Sequence, residues 1–78
     1  MVPDVNKFTY RITWSEEDQE FVGLCTEFPS LSWLAPEPDD ALKGIRLLVN
    51  DCIEDMVVSG EDIPAPISAR QYNRTSIR

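Results

Sequence analysis

Apolar and polar residues alternate strictly from Phe8 to Trp14, with Phe8, Tyr10, Ile12 and Trp14 on one side and Thr9, Arg11 and Thr13 on the other. A two-residue period predicts a half-buried strand over 8–14. The charged stretch Ser15 to Gln19 has the length of a hairpin connector, and Glu20 to Thr26 is β-prone again, with Gly23 marking a bulge or a close approach. After the corner "EFPS", the short run Leu31 to Ala35 predicts a third strand held between Pro29 and Pro36.

The period then changes. From Pro38 onward, Ala41, Leu42, Ile45, Leu48, Val49, Cys52, Ile53 and Met56 fall within one arc of roughly 140° when placed at helical steps of about 100°. The spacing predicts a helix over 38–58 with a single apolar stripe, suited to lying on a sheet. Pro38 fits the first helical position, Asp39 and Asp40 complement the positive end of the helix dipole, and Gly60 supplies a stop. Leu47 and Val58 point away from the stripe, as exposed surface or as an oligomer contact. The segment Glu61 to Ser68, set by Pro64 and Pro66, predicts an extended return able to form a fourth, edge strand. The expected fold is therefore α+β: a small antiparallel sheet in the order β-β-β-α-β with one helix on one face. The other face is left open.

Charge is distributed unevenly over these elements. The chain has 78 residues, enough for one domain near the lower limit at which a single core suffices. Residues 1–67 hold fourteen acids against Lys7, Arg11, Lys43 and Arg46, net −10, whereas residues 68–78 add three arginines and no acid. We therefore expect two parts: a folded acidic body, 1–67, and a basic tail, 68–78. Such a body repels nucleic-acid phosphates and attracts cationic partners. No apolar run approaches the ~20 residues of a membrane-spanning helix, so a cytoplasmic protein is expected. Cys25 and Cys52 lie inside apolar patterns without metal-ligand spacing, which reads as two core thiols, with a disulfide between them left open.

Candidate chemistry is sparse. The chain has no histidine, which removes the commonest general base and the usual partners of nucleophilic serine and cysteine. Its three glycines form no phosphate-binding loop. A two-metal nuclease built on this strand order would need carboxylates on the first strand, and Phe8 to Trp14 contains none. Neither catalysis nor a metal or other cofactor is expected.

The segment "FVGLCTEFPSLSWLAPEPDDALKGIRLLV", followed by "SGEDIPAPISARQYN", resembles the HicB antitoxins of bacterial toxin–antitoxin pairs. Their pattern is a hairpin, an E-F-P-x-L corner, a T-P-E-E-A-L-like helix start and a G-E-x-I-P-x-P return, matched here in order over residues 8–78. The resemblance implies a degenerate RNase H-like domain without nuclease activity. It also implies a partner, a small basic HicA-like toxin that cleaves mRNA. Glu37, Asp39 and Asp40 stand where the family has a capping Thr and a Glu pair. Family members commonly continue into a ribbon-helix-helix or helix-turn-helix segment, for which "YNRTSIR" reads as the start or as a plain basic tail. DNA binding is therefore not part of the expectation for residues 1–78.

Together these readings predict a toxin-neutralising protein, also able to form homo-oligomers. Glu16, Glu17 and Asp18 of the connector, with Glu27, Trp33 and Glu37 around the corner, are the expected contacts. Trp33 is either a partner-facing anchor or a core residue under the helix. The rival is a non-catalytic, oligomerising protein-binding module that uses the open sheet face; a nuclease is a more distant alternative.

Overall fold

The computed structural model describes residues 4–67. A short 3-10 turn, Val5–Lys7, precedes β1 (Tyr10–Ser15), β2 (Glu20–Cys25), β3 (Ser32–Ala35) and α1 (Pro38–Ser59). The strands form one antiparallel sheet in the order β1-β2-β3, and the fold is α+β.

β1 and β2 are joined by a four-residue loop in which the Gln19 N–H donates to the Ser15 carbonyl at 2.8 Å, with Gln19 at φ 56°. The corner between β2 and β3 is closed by two turns, Phe28 N–H to Cys25 C=O at 3.1 Å and Leu31 N–H to Phe28 C=O at 3.0 Å. These turns deliver Phe28 into the core, edge-on to Phe8 at 5.5 Å between ring centroids. Phe8 thus enters the core from just ahead of β1, two residues before the strand begins.

The helix follows its sequence pattern closely. Ala41, Ile45, Val49 and Ile53 are fully buried, and Leu42, Leu48, Cys52 and Met56 pack around that seam. Glu37 occupies the N-cap without a side-chain cap bond, so the first turn relies on Pro38 and on Asp39 and Asp40. At the other end Gly60 takes the left-handed conformation, φ 75°, and the Glu61 N–H reaches the Met56 carbonyl at 2.9 Å. This paired closure is the one glycine provides at lowest steric cost.

The cross-strand register assigns the faces. Gly23 is buried under α1, where an added Cβ would stand 2.9 Å from Ile45 Cγ2, so the residues opposite it, Ile12 and Trp33, share the helix side. The alternate residues Arg11, Thr13, Val22, Leu24 and Leu34 therefore lie on the uncovered face.

Two features depart from the sequence expectation. The return does not form a fourth strand: residues 61–66 carry no strand assignment, and two of them, Pro64 and Pro66, have no N–H to give a ladder. Ile63 instead packs against the core and Pro66 is buried. The turn Val5–Lys7 has no counterpart in the sequence pattern. It is capped by Asp4, which accepts from the Asn6 N–H at 2.9 Å, and its Val5 carbonyl accepts the Tyr10 hydroxyl at 2.7 Å. Residues 68–78, the expected basic tail, lie outside the described residues.

Candidate functional site

The register gathers the acids at one end of the sheet. Ser15 pairs with Glu20, and Phe21 pairs with Ala35, so the β1–β2 loop and the β3–α1 junction are neighbours. Glu16, Glu17, Asp18 and Glu20 therefore share an end with Glu37, Asp39 and Asp40. No lysine or arginine occurs between Arg11 and Lys43, and the cation nearest the helix-start acids in sequence is Lys43, one turn on from Asp39 and Asp40.

The loop acids are ordered by local bonds. Glu16 Oε1 accepts from the indole Nε1 of Trp14 at 2.9 Å, and Gln19 Nε2 donates to the Glu16 carbonyl at 2.7 Å. Asp18 Oδ2 accepts from the Ser15 hydroxyl at 2.9 Å, while that hydroxyl oxygen accepts from the Asp18 N–H at 3.2 Å. Glu16, whose Oε2 also accepts from Gln19 Nε2 at 3.2 Å, thus uses two of the four lone pairs of its carboxylate and Asp18 one, which leaves acceptors facing water. Glu17 and Glu37 are exposed.

Aromatic surface accompanies the charge. Trp14 sits edge-on to Phe21 at 5.0 Å and is 45% exposed. Trp33 is 41% exposed, yet its indole also lies against the helix backbone at Gly44. One part of it is thus packed under α1 and another is in solvent.

Glu27 is placed differently. It stands at the opposite end of the sheet, where Tyr10 pairs with Cys25. Its carboxylate accepts from the Thr9 N–H at 2.9 Å, the Thr9 hydroxyl at 3.2 Å and the Ile67 N–H at 2.8 Å, with Cys25 Sγ at 3.5 Å. Partial burial opposes the charge, but the N–H groups of Ile67 and Thr9 outweigh it and hold the carboxyl below its ordinary 4.5. Glu27 ties the start of β1, the corner and the return together. Nothing in composition or periodicity distinguishes it from the other acids, since its donors arrive from 18 and 40 residues away.

Burial, the Cys25 sulfur and other nearby acids together push the Tyr10 phenol up to about 12 despite Arg46, and burial also raises the Cys25 thiol. Both cysteines are free thiols. Among the described residues, no group of three or more His, Cys, Asp or Glu side chains is placed to hold a metal ion, and no helix is long and apolar enough to cross a membrane. Comparison of the chain with protein-family models, with curated proteins and with solved structures gives no match.

Proposed function

We propose that this chain is an antitoxin-like protein that binds and neutralises a small, basic, HicA-like mRNA-cleaving toxin in the cytoplasm. The observation that carries the reading is the convergence of the β1–β2 loop acids and the helix-start acids at one end of the sheet, uninterrupted by a cation in the chain from Ile12 to Leu42. A toxin that grips RNA must present a cationic surface to phosphates. An acidic end of this kind covers that surface and competes with RNA for it, and its field speeds the encounter. Glu16, Glu17, Asp18 and Glu37 supply the charge in this reading. The exposed parts of Trp14 and Trp33 supply rigid apolar contact area. Glu27, fully engaged within the chain, acts by holding the fold. The resemblance of the corner, helix start and return to HicB antitoxins supports the same role, with a degenerate RNase H-like ancestry and no catalysis. Homo-oligomers belong to this reading, and DNA binding by residues 1–78 does not.

The test is inhibition. The purified chain is titrated into an RNA-cleavage assay of the small basic protein encoded beside it. The expected result is loss of cleavage at a fixed stoichiometry. Undiminished cleavage by the toxin with a folded chain present would instead favour a binding module of other role.

A further inference from the structure

Cations are scarce in the acidic body, yet two of them share a groove. Residues 4–67 hold Lys7, Arg11, Lys43 and Arg46, and Lys43 and Arg46 border a groove of about 460 Å³ between the Val5–Lys7 turn and α1. Val5 and Asn6 form one wall, Leu47 and Asn50 extend the other, and among the described residues no carboxylate lines it. Its volume lies in the range of small-molecule sites. The wall facing the helix is fixed in place, because Asp4 caps the turn and the Val5 carbonyl accepts the Tyr10 hydroxyl at 2.7 Å.

The fold leaves both cations unengaged. Lys43 has Asp39 and Asp40 one turn before it on α1, the spacing at which opposite charges pair on a helix. The field of Arg46 reaches the Tyr10 phenol. Among the described residues, however, neither Lys43 nor Arg46 makes a hydrogen bond or an ion pair. Three residues apart, the two like charges are helix neighbours and repel each other. An anion held between them removes that repulsion.

The groove is uneven along its length. The Lys43–Arg46 step is cationic, Leu47 is apolar and 62% exposed, and Asn50 follows, its amide donating to Glu54 at 3.4 Å. Glu54 sets a carboxylate beyond Asn50, so the negative charge of a ligand belongs at the Lys43 end and an uncharged part at the Asn50 end. The planar fork of an arginine suits two phosphate oxygens, and a lysine adds a point charge. From Lys43 to Asn50 the helix rises about 10 Å, which matches the length of a nucleoside monophosphate. A long polyanion is disfavoured, because its remaining phosphates would face the acids of the body.

We propose that this groove binds a small phosphate monoester with an uncharged, hydrogen-bonding body, of the class of the nucleoside monophosphates. The phosphate lies between Lys43 and Arg46, and the nucleoside covers Leu47 and reaches the amides of Asn6 and Asn50, which offer both donors and acceptors. The assignment does not rest on the antitoxin reading, in which none of these residues supplies charge or contact area.

The experiment titrates adenosine monophosphate into the isotopically labelled full chain at low salt and follows the backbone amide NMR shifts. The expected result is saturable shifts at Asn6, Lys43, Arg46, Leu47 and Asn50, half-complete at or below about 1 mM. Lys43→Gln/Arg46→Gln, at two exposed positions, weakens binding by about tenfold or more while the spectrum keeps its dispersion. Adenosine and inorganic phosphate, titrated separately, each bind at least about fivefold more weakly, because each fills only part of the groove. The absence of saturable shifts up to about 10 mM overturns the proposal. So do shifts that centre on other residues or survive in the double variant. Inorganic phosphate binding as tightly as the nucleotide overturns it too, because the groove would then read the anion alone. Adenosine binding as tightly does the same, because Lys43 and Arg46 would then hold nothing.

Discussion

The indole of Trp33 occupies the place where a side chain at position 44 would stand: a Cβ built on Gly44 would overlap its Nε1, Cδ1 and Cε2 atoms. Trp33 is on β3 and Gly44 is in the second turn of α1, so this single contact sets how closely the helix approaches the edge of the sheet. Glycine there costs helix propensity of about 1 kcal/mol relative to alanine, and the close packing of a large aromatic offsets it.

Replacing Gly44 by Ala therefore destabilises the protein, by about 1–3 kcal/mol, despite the better helix propensity of alanine. Urea unfolding followed by tryptophan fluorescence measures the loss. Adding Trp33→Ala to Gly44→Ala makes the space and removes most of the penalty attached to the methyl group. Equal penalties in the presence and absence of Trp33 would show that the indole is not what the methyl meets.

The Glu27 carboxylate is a second point at which distant segments are tied. Glu27→Ala leaves the Thr9 and Ile67 N–H groups to water and lowers stability by about 1–2 kcal/mol, at the modest end because the site is partly exposed. For a domain of this size that corresponds to a fall in Tm of about 4–8 °C per kcal/mol. Hydrogen exchange at the Ile67 amide rises with it. If that amide exchanges equally fast in the wild type, the carboxylate does not hold the return.

Two titrations bound the pH range of stability. The Glu27 pKa is lowered in the folded state, so its contribution is present above the unfolded value of 4.5 and is lost as pH falls through the folded value. Tyr10 has the opposite sign. Its folded value of about 12 lies above the ordinary 10.0, so its contribution is complete below pH 10 and disappears between about 10 and 12. Chemical denaturation across pH separates the two, because Glu27→Gln flattens only the acid limb and Tyr10→Phe only the alkaline one. An alkaline limb unchanged in Tyr10→Phe would reassign it to other groups.

Reversing Glu16, Glu17 and Asp18 to Lys changes six units of charge on an exposed loop that contributes no buried side chain. Folding stability should change little. If the proposed function holds, association with a basic toxin slows by tenfold or more at low salt, with the difference shrinking as salt rises toward about 0.5 M. Stopped-flow association rates measure this, and an unchanged rate at low salt would remove steering from the proposed mechanism.

Much of this architecture was legible in the chain itself. The two-residue period around Tyr10 and Ile12, and the helical period through Ala41, Ile45, Val49 and Ile53, arise from backbone geometry, so burial of one face writes itself into residue order. The helix ends were equally local, since Pro38 and Gly60 act through their own φ angles. Residues 61–66 form no fourth strand, because prolines favour extended backbone but supply no ladder donor, and what becomes of such a segment depends on where the sheet edge lies.

Sequence alone determined the element types, the core seam of α1, the charge imbalance and the lack of a histidine, because each depends on residues close in the chain or on composition. Tertiary structure decided which acids stand together and which are occupied. Glu27 and Glu37 look alike in sequence, but pairing of Tyr10 with Cys25 and of Phe21 with Ala35 sends them to opposite ends of the sheet. The first receives hydrogen bonds from distant amides, whereas the second remains exposed beside the β1–β2 loop. Strand pairing brings together groups separated by tens of residues, and no local pattern in the chain encodes that meeting.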